Sequence, residues 1–406
     1  MRRIRLFRSV AAVGAAWALA SCSATPLPRS AAVASPSAIG SSSVSAAWLT
    51  ARVEQPGVIE AAPTDAPVFC SPCHPSVGTY IDALVQFRGG YLAVGHDQPP
   101  SHAAAWASAD GLMWKRATSL PSPDGSTISA AVTKNDGSVL AVGESAGRAA
   151  VWRSDAGVSW TLTALPAPEA DAQEWLTAVA ASGAGFVAGG YTESATAQRT
   201  AVLWHSPDGV IWMRGSAELP AGQSEVRGIT SVGGTNILAV GIAGDERRGT
   251  AAVWRSTDAG STWQAAASPA LAAGRMLAVV AAGSAAVAVG EREDQTGAAA
   301  WYSADGLNWS SAGGPALDNF GLQMVMDSIT RDGSGFVAAG WQSDAGNGSA
   351  VVWRSADGRT WVHLPQDASF LGAGLACVLG STPLMVAGTM GWPDTHAAQV
   401  WLARPG

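Results

Sequence analysis

Lysine is nearly absent. Of 24 basic side chains only Lys115 and Lys134 are lysines, and the arginines are scattered. A nucleic-acid binder needs a basic stripe to displace phosphate counterions, so that class is excluded. Charge of either sign is sparse, at 14% of 406 residues, with a net charge of −7 and all 31 acids beyond residue 53. Only four tyrosines and four cysteines occur. No apolar run is long enough for a permanent membrane helix. Scarce charge does not mean disorder here, because 48% of the residues are hydrophobic and such a chain buries enough surface to offset its ordering entropy. What abounds is glycine, at 47 residues, and tryptophan, at 18. That combination predicts many short strands with tight turns.

The N-terminus reads as an export signal. Arg2, Arg3, Arg5 and Arg8 precede an uncharged run from Val10 to Ala20, the length of a signal-peptide core. It ends Leu19-Ala20-Ser21-Cys22, which resembles the lipobox of bacterial lipoproteins. The resemblance implies cleavage before Cys22, leaving residues 1–21 as the signal, and diacylglycerol on the Cys22 thiol. An ordinary secretory signal would place its cleavage site in the same stretch. Residues 22–46 are rich in Ser, Ala and Pro with one charge, which predicts a flexible tether. The chain is therefore expected to be lipid-anchored on the extracytoplasmic side of a cell membrane, with a folded region over 47–406.

A repeat covers residues 77–406. One column is a tryptophan after a small apolar run: Trp106, Trp152, Trp204, Trp254, Trp301, Trp353 and Trp401. A second tryptophan follows six of them, at Trp114, Trp160, Trp212, Trp263, Trp309 and Trp361. Four of the six stretches between carry Asp-Gly, a strong hairpin signal because the turn needs positive φ. A third column of apolar runs ends in Gly, as in Val139-Leu140-Ala141-Val142-Gly143, and a fourth precedes it, as in Leu176–Ala180. Each unit is thus four strands, the size of a propeller blade. The expected fold is all-β: a seven-bladed β-propeller of four-stranded blades. The last unit lacks an outer strand, and a propeller must close or expose an edge. Residues 48–53 are expected to supply that strand and close the ring.

The turns resemble the Asp-box of sialidase-like, or BNR-repeat, propellers, and Ser256-Thr257-Asp258-Ala259-Gly260-Ser261-Thr262-Trp263 matches throughout. The resemblance implies structural roles for Asp110, Asp155, Asp208, Asp258, Asp305 and Asp357, whose carboxylates accept turn N–H bonds while the tryptophans pack into the blade. Sialidase chemistry in that family uses a tyrosine nucleophile and three arginines on the substrate carboxylate. This sequence departs from it, with no Phe/Tyr-Arg-Ile-Pro motif. Similar architecture also occurs in a photosystem assembly factor and in xyloglucan hydrolases, so fold alone does not choose a function.

Cys70-Ser71-Pro72-Cys73-His74 has the spacing of a c-type haem attachment site. Too few residues surround it to bury a haem, so no cofactor is expected. A Cys70–Cys73 disulfide is the preferred reading in an oxidising compartment. A bridge from Cys377 to either is the alternative. No histidine spacing suggests a metal centre. Aligned inner strands put Glu174, Arg227 and Arg275 at one position, beside Trp175, with Asp82 and Asp327 deeper. These are the channel-mouth ligand candidates, set against a solvated salt-bridge cluster. Acids also gather in the loops and links of one face, which predicts a negative rim suited to cationic partners. The function expected is a non-catalytic binding or assembly module for a protein or glycan. The alternative is a sialidase-like or other glycoside hydrolase, which requires a pair of carboxylates at the mouth.

Overall fold

A computed structural model describes residues 48–55, 77–134, 136–168, 172–217, 220, 222–244, 249–292, 297–314, 316–317, 323–344, 347–380, 383–391 and 395–403. All belong to the compact unit Ala46–Gly406. Cys22, the tether, and Cys70, Cys73 and His74 lie outside the described residues. Among the described residues, the only helical elements are 3-10 turns at Pro269–Ala273 and Ala368–Phe370. Everything else is strand, turn or link.

Seven inner strands recur along the chain: Val77–Phe87, Thr127–Thr133, Gln173–Ser182, Ser224–Gly233, Gly274–Ala282, Gln323–Asp332 and Ala373–Leu379. Each is followed by an antiparallel second and third strand. An outer strand follows within the first six units. Each inner strand contacts the next, and Ala373–Leu379 contacts Val77–Phe87. The first-column tryptophans, on the third strands, are buried in the sheets, with Trp106, Trp152, Trp254, Trp301, Trp353 and Trp401 at 0% exposure. Apolar clusters fill the spaces between neighbouring units. One packs Leu140 and Val151 against Leu176, Phe186 and Trp204. Another joins Ala51, Ile81 and Trp106 to Met385, Val400 and Leu402. Truncating one such tryptophan to alanine would cost about 3–5 kcal/mol.

The glycine column has a specific cause. In every inner strand the pairing slips by one residue, at Asp82, Ser129, Thr177, Arg227, Leu277, Asp327 and Ala376. These are β-bulges, which bend the strand and re-aim one side chain. All seven bulged residues are half-buried. Each bulge presses a backbone carbonyl against the second strand. The carbonyls of Tyr80, Thr127, Trp175, Glu225, Arg275, Val325 and Gly374 stand where a β-carbon would be on Gly95, Gly143, Gly190, Gly241, Gly290, Gly340 and Gly388. The apolar run must therefore end in glycine.

The outer hairpins explain the turn motif. Asp110 accepts the N–H groups of Leu112 and Met113 at 2.9 and 3.0 Å, and Ser108 accepts that of Gly111. Asp208, Asp305 and Asp357 do the same in their own turns. Asp258, in the longer turn, accepts the Thr262 N–H. These bonds hold Asp110, Asp208, Asp305 and Asp357 below the usual carboxylate range; Asp258 also lies below it, although some burial opposes the effect. Asp155 departs from the expectation: among the described residues it takes no turn N–H. Its turn reads Ser154-Asp155-Ala156-Gly157, so the carboxylate sits one place early and Ala156 stands where the acceptor belongs. Ser154 instead donates to the Ser159 carbonyl at 2.6 Å.

Residues 48–55 are stitched into two units. Trp48 pairs with Ala403 and Thr50 with Trp401, antiparallel to the last third strand. Arg52 and Val53 then pair parallel with Met113 and Trp114.

Candidate functional site

The bulges bring charged side chains to the ends of the inner strands that the inter-unit links enter. Arg227 and Asp327 are both bulged residues, two units apart, with Leu277 at the bulge between them. Burial pushes the Asp327 carboxyl up to about 7, the charge of Glu291 pushes the same way, and Arg227 opposes them. Asp327 keeps some accessible surface, but densely packed protein around it strips most of its water. Glu291 is held by Arg275. Thus Arg227, Arg275 and Asp327 share one electrostatic neighbourhood, with Glu291 at its centre.

The network continues through the neighbouring units. Arg227 Nε donates to Glu225 at 2.8 Å, and Arg199 reaches the other Glu225 oxygen at 3.2 Å. Arg199 also donates to Glu193 at 2.9 Å. Its guanidinium lies 4.6 Å from the Tyr191 ring centroid, and Trp175 stacks on that ring at 5.2 Å. Burial raises the Tyr191 pKa, against the pull of Arg199 and Arg227.

Glu174 is not part of this neighbourhood. It is fully buried, accepts the Trp204 indole N–H at 2.7 Å and pairs with Arg214. The expected alignment of Glu174 with Arg227 and Arg275 fails because it ignores the bulge. Glu174 lies three residues before its strand's bulge, Arg275 two before, and Arg227 is the bulge itself. Arg214 stacks 5.0 Å from the Trp204 ring while it holds Glu174. Arg116 does the same in the first unit, 5.2 Å from Trp106 and paired with Asp97. Sequence reading missed this device, although Trp114-x-Arg116 and Trp212-x-Arg214 carry its signal.

Asp82 belongs to a second cluster, where the first and last units meet. Its carboxylate lies 2.8 Å from His96 Nδ1. Burial alone would lower the His96 pKa, but the charge and hydrogen bond of Asp82, with a smaller push from Asp97, raise it. Tyr80 stacks on His96 at 4.9 Å and lies 5.2 Å from the His396 ring. Cys377, nearby in the inner strand, is a free buried thiol whose pKa burial and the Asp82 charge push up. Among the described residues no group of three or more potential ligands could hold a metal.

Much of the acidic rim is paired where it is described, although Asp124 meets only His102 and Asp367 accepts the Ser369 N–H. Asp97, Glu174, Glu193, Glu225 and Glu291 each have an arginine. Glu144 has none: it is 8% exposed, accepts the Gly147 N–H, and burial pushes it up to about 7. Asp245, Glu246, Glu293 and Asp294 lie outside the described residues.

No family model and no curated protein matches this chain. Solved structures do. YCF48 from Cyanidioschyzon merolae is 14% identical with a TM-score of 0.51, over 88% of this chain and 99% of that one. A structure described as YCF48 bound to D1 peptide is 12% identical with a TM-score of 0.50, over 82% and 95%. The Hadza microbial sialidase Hz136 is 12% identical at a TM-score of 0.44, over 80% and 66%. The likeness to the YCF48 structures establishes a β-propeller fold.

Proposed function

We propose that the chain is an exported lipoprotein, anchored through diacylglycerol on Cys22, whose propeller is a non-catalytic binding or assembly module. The ring in this reading has seven blades and is closed by residues 48–53. Register supports the closure. Trp48 faces Ala403 as Trp309 faces Ser303, so Trp48 is the missing seventh member of the second tryptophan column. The parallel pairing of Arg52 and Val53 with Met113 and Trp114 repeats a staple made elsewhere by Ser216–Ala217 on Thr262–Trp263. The Glu54 carbonyl accepts the Trp106 indole N–H, as the Pro121 and Ala270 carbonyls accept those of Trp152 and Trp301.

The binding site in this reading is the link-face mouth around Arg227, Asp327 and Trp175. The observation that carries it is the pairing of the mouth arginines with the protein's own carboxylates. A mouth of alternating charges beside a stacked Trp175–Tyr191 pair suits a polar peptide or glycan, and among the described residues it shows no clamp of three arginines for one carboxylate. One of the structures of like fold holds a peptide, which agrees with this class of ligand.

A hydrolase is the second reading, favoured by one observation: Asp327, raised to about 7, feels the charge of Glu291. A protonated acid beside an ionised carboxylate is the pairing that glycoside hydrolysis needs. Release of reducing ends from an envelope-glycan panel separates the two. The module releases none. A hydrolase releases them, and loses the activity in Asp327→Asn and Glu291→Gln.

A further inference from the structure

Nine large aliphatic side chains are exposed among the described residues, and eight of them lie in the outer hairpins. They sit just before or after the second-column tryptophans. Leu112 and Met113 precede Trp114, Val158 lies two before Trp160, and Val210 and Ile211 precede Trp212. Ile211 is 64% exposed and Val158 is 58%. These positions are not needed by the hairpin, whose turn is made by the serine, aspartate and glycine. In the fourth and sixth units the same positions hold Ser261-Thr262 and Arg359-Thr360. Six of the eight, Leu112, Met113, Val158, Val210, Ile211 and Met213, lie on three consecutive units, the first to the third, as an arc on one rim; the other two are Leu307 in the fifth unit and Val362 in the sixth.

The chain arrives at that rim. Residue 48 pairs with Ala403 and residue 50 with Trp401, so the segment before Trp48 leaves at the end of the third strand. In other units that end is where the outer hairpin turns. Arg52 then lies beside Met113, at the start of the arc. Exposed cations flank the same rim at Arg52, Arg88 and Lys115. Of the turn aspartates there, Asp110 and Asp208 are held by backbone N–H groups, and Asp155 is exposed and, among the described residues, without one.

We infer that the outer-hairpin rim of units one to three rests on the lipid bilayer, with Leu112, Met113, Val158, Val210 and Ile211 dipping into the headgroup region. The inference rests on the lipid anchor at Cys22 for its setting. Residues 23–46 span at most about 85 Å fully extended, so the anchor keeps the chain within that distance of the surface. A lipid chain combined with apolar tips supplies two signals, which makes peripheral attachment stable. The link-face mouth then points away from the membrane, open to a ligand.

Photo-crosslinking tests the contact. In the full lipidated chain on vesicles of phosphatidylethanolamine and phosphatidylglycerol, benzoylphenylalanine replaces Ile211, or Thr192 on the opposite rim. Lipid adducts are expected at least ten-fold more often from position 211. Equal yields, or a crosslink from 211 to a second copy of the chain, overturn the inference. A second assay does not need the anchor. The unit Ala46–Gly406 holds all the core clusters, so a chain starting at Ser23 keeps its fold. Its sedimentation with phosphatidylglycerol vesicles is expected to fall at least five-fold in Val158→Glu/Ile211→Glu, and unchanged binding contradicts the contact. Absence of the lipid mass on Cys22 would defeat the anchor alone, leaving this second assay to decide the rim.

Discussion

The carbonyl oxygen of Arg275 occupies the space that a side chain on Gly290 would need. The one-residue bulge at Leu277 puts it there, and the same relationship recurs in all seven units. Gly290→Ala must displace backbone on one strand or the other. We expect a loss of about 2–4 kcal/mol, read as a lower midpoint in urea unfolding. Gly313→Ala is the control, because its β-carbon meets nothing, and should shift stability by less than about 0.5 kcal/mol. Equal effects would show that the bulge does not impose the glycine.

Glu144 gives a pH test. Its folded pKa, about 7, lies above the ordinary 4.5, so ionisation opposes folding. The stabilisation from the bound proton is complete below pH 4.5 and lost as pH rises through 7. Glu144→Gln keeps an acceptor for the Gly147 N–H and removes the charge. It should match wild type near pH 4 and be more stable by about 3 kcal/mol at pH 8. A constant difference across that range would contradict the burial argument.

Asp305 and Asp155 should differ despite their shared motif. Asp305 accepts two turn N–H bonds at 2.8 Å, and Asp155 accepts none. Asp305→Ala should lower the melting temperature clearly and Asp155→Ala hardly at all. The Asp305 pKa is depressed, so its stabilisation is present above the ordinary value of 3.8 and fades as pH falls below it. The gap between the two variants should narrow in acid.

Closure by residues 48–53 predicts an asymmetry between two deletions. Removing 23–46 should leave melting unchanged. Removing 47–54 strips the partner from the last third strand and the staple on Trp114, and should lower the melting temperature by many degrees. Similar melting for both would mean the ring does not depend on this strand.

The architecture was legible because its constraints recur. Two tryptophan columns and a glycine column mark the strands, since each marks a site packed alike in every unit. The bulge was not legible, because a bulged residue adds no distinctive side chain of its own: Asp82, Ser129, Leu277 and Ala376 share no chemistry. That is why Glu174 seemed to align with Arg227. Placed three residues before the bulge, it turns into its own sheet toward Trp204, 30 residues away. Arg227 and Asp327 were recognised as candidates. Glu225, Glu291 and Arg199 were legible only as members of the acidic face, because their pairing depends on which strand ends meet.

The most direct test of the binding-module account is photo-crosslinking from the mouth in intact cells. Benzoylphenylalanine in place of Trp175 should capture one discrete extracytoplasmic protein or glycan, and Arg227→Glu/Asp327→Asn should reduce that product at least ten-fold. A Trp175 variant that captures nothing, or a product unaffected by Arg227→Glu/Asp327→Asn, would contradict the claim that this mouth is the binding site.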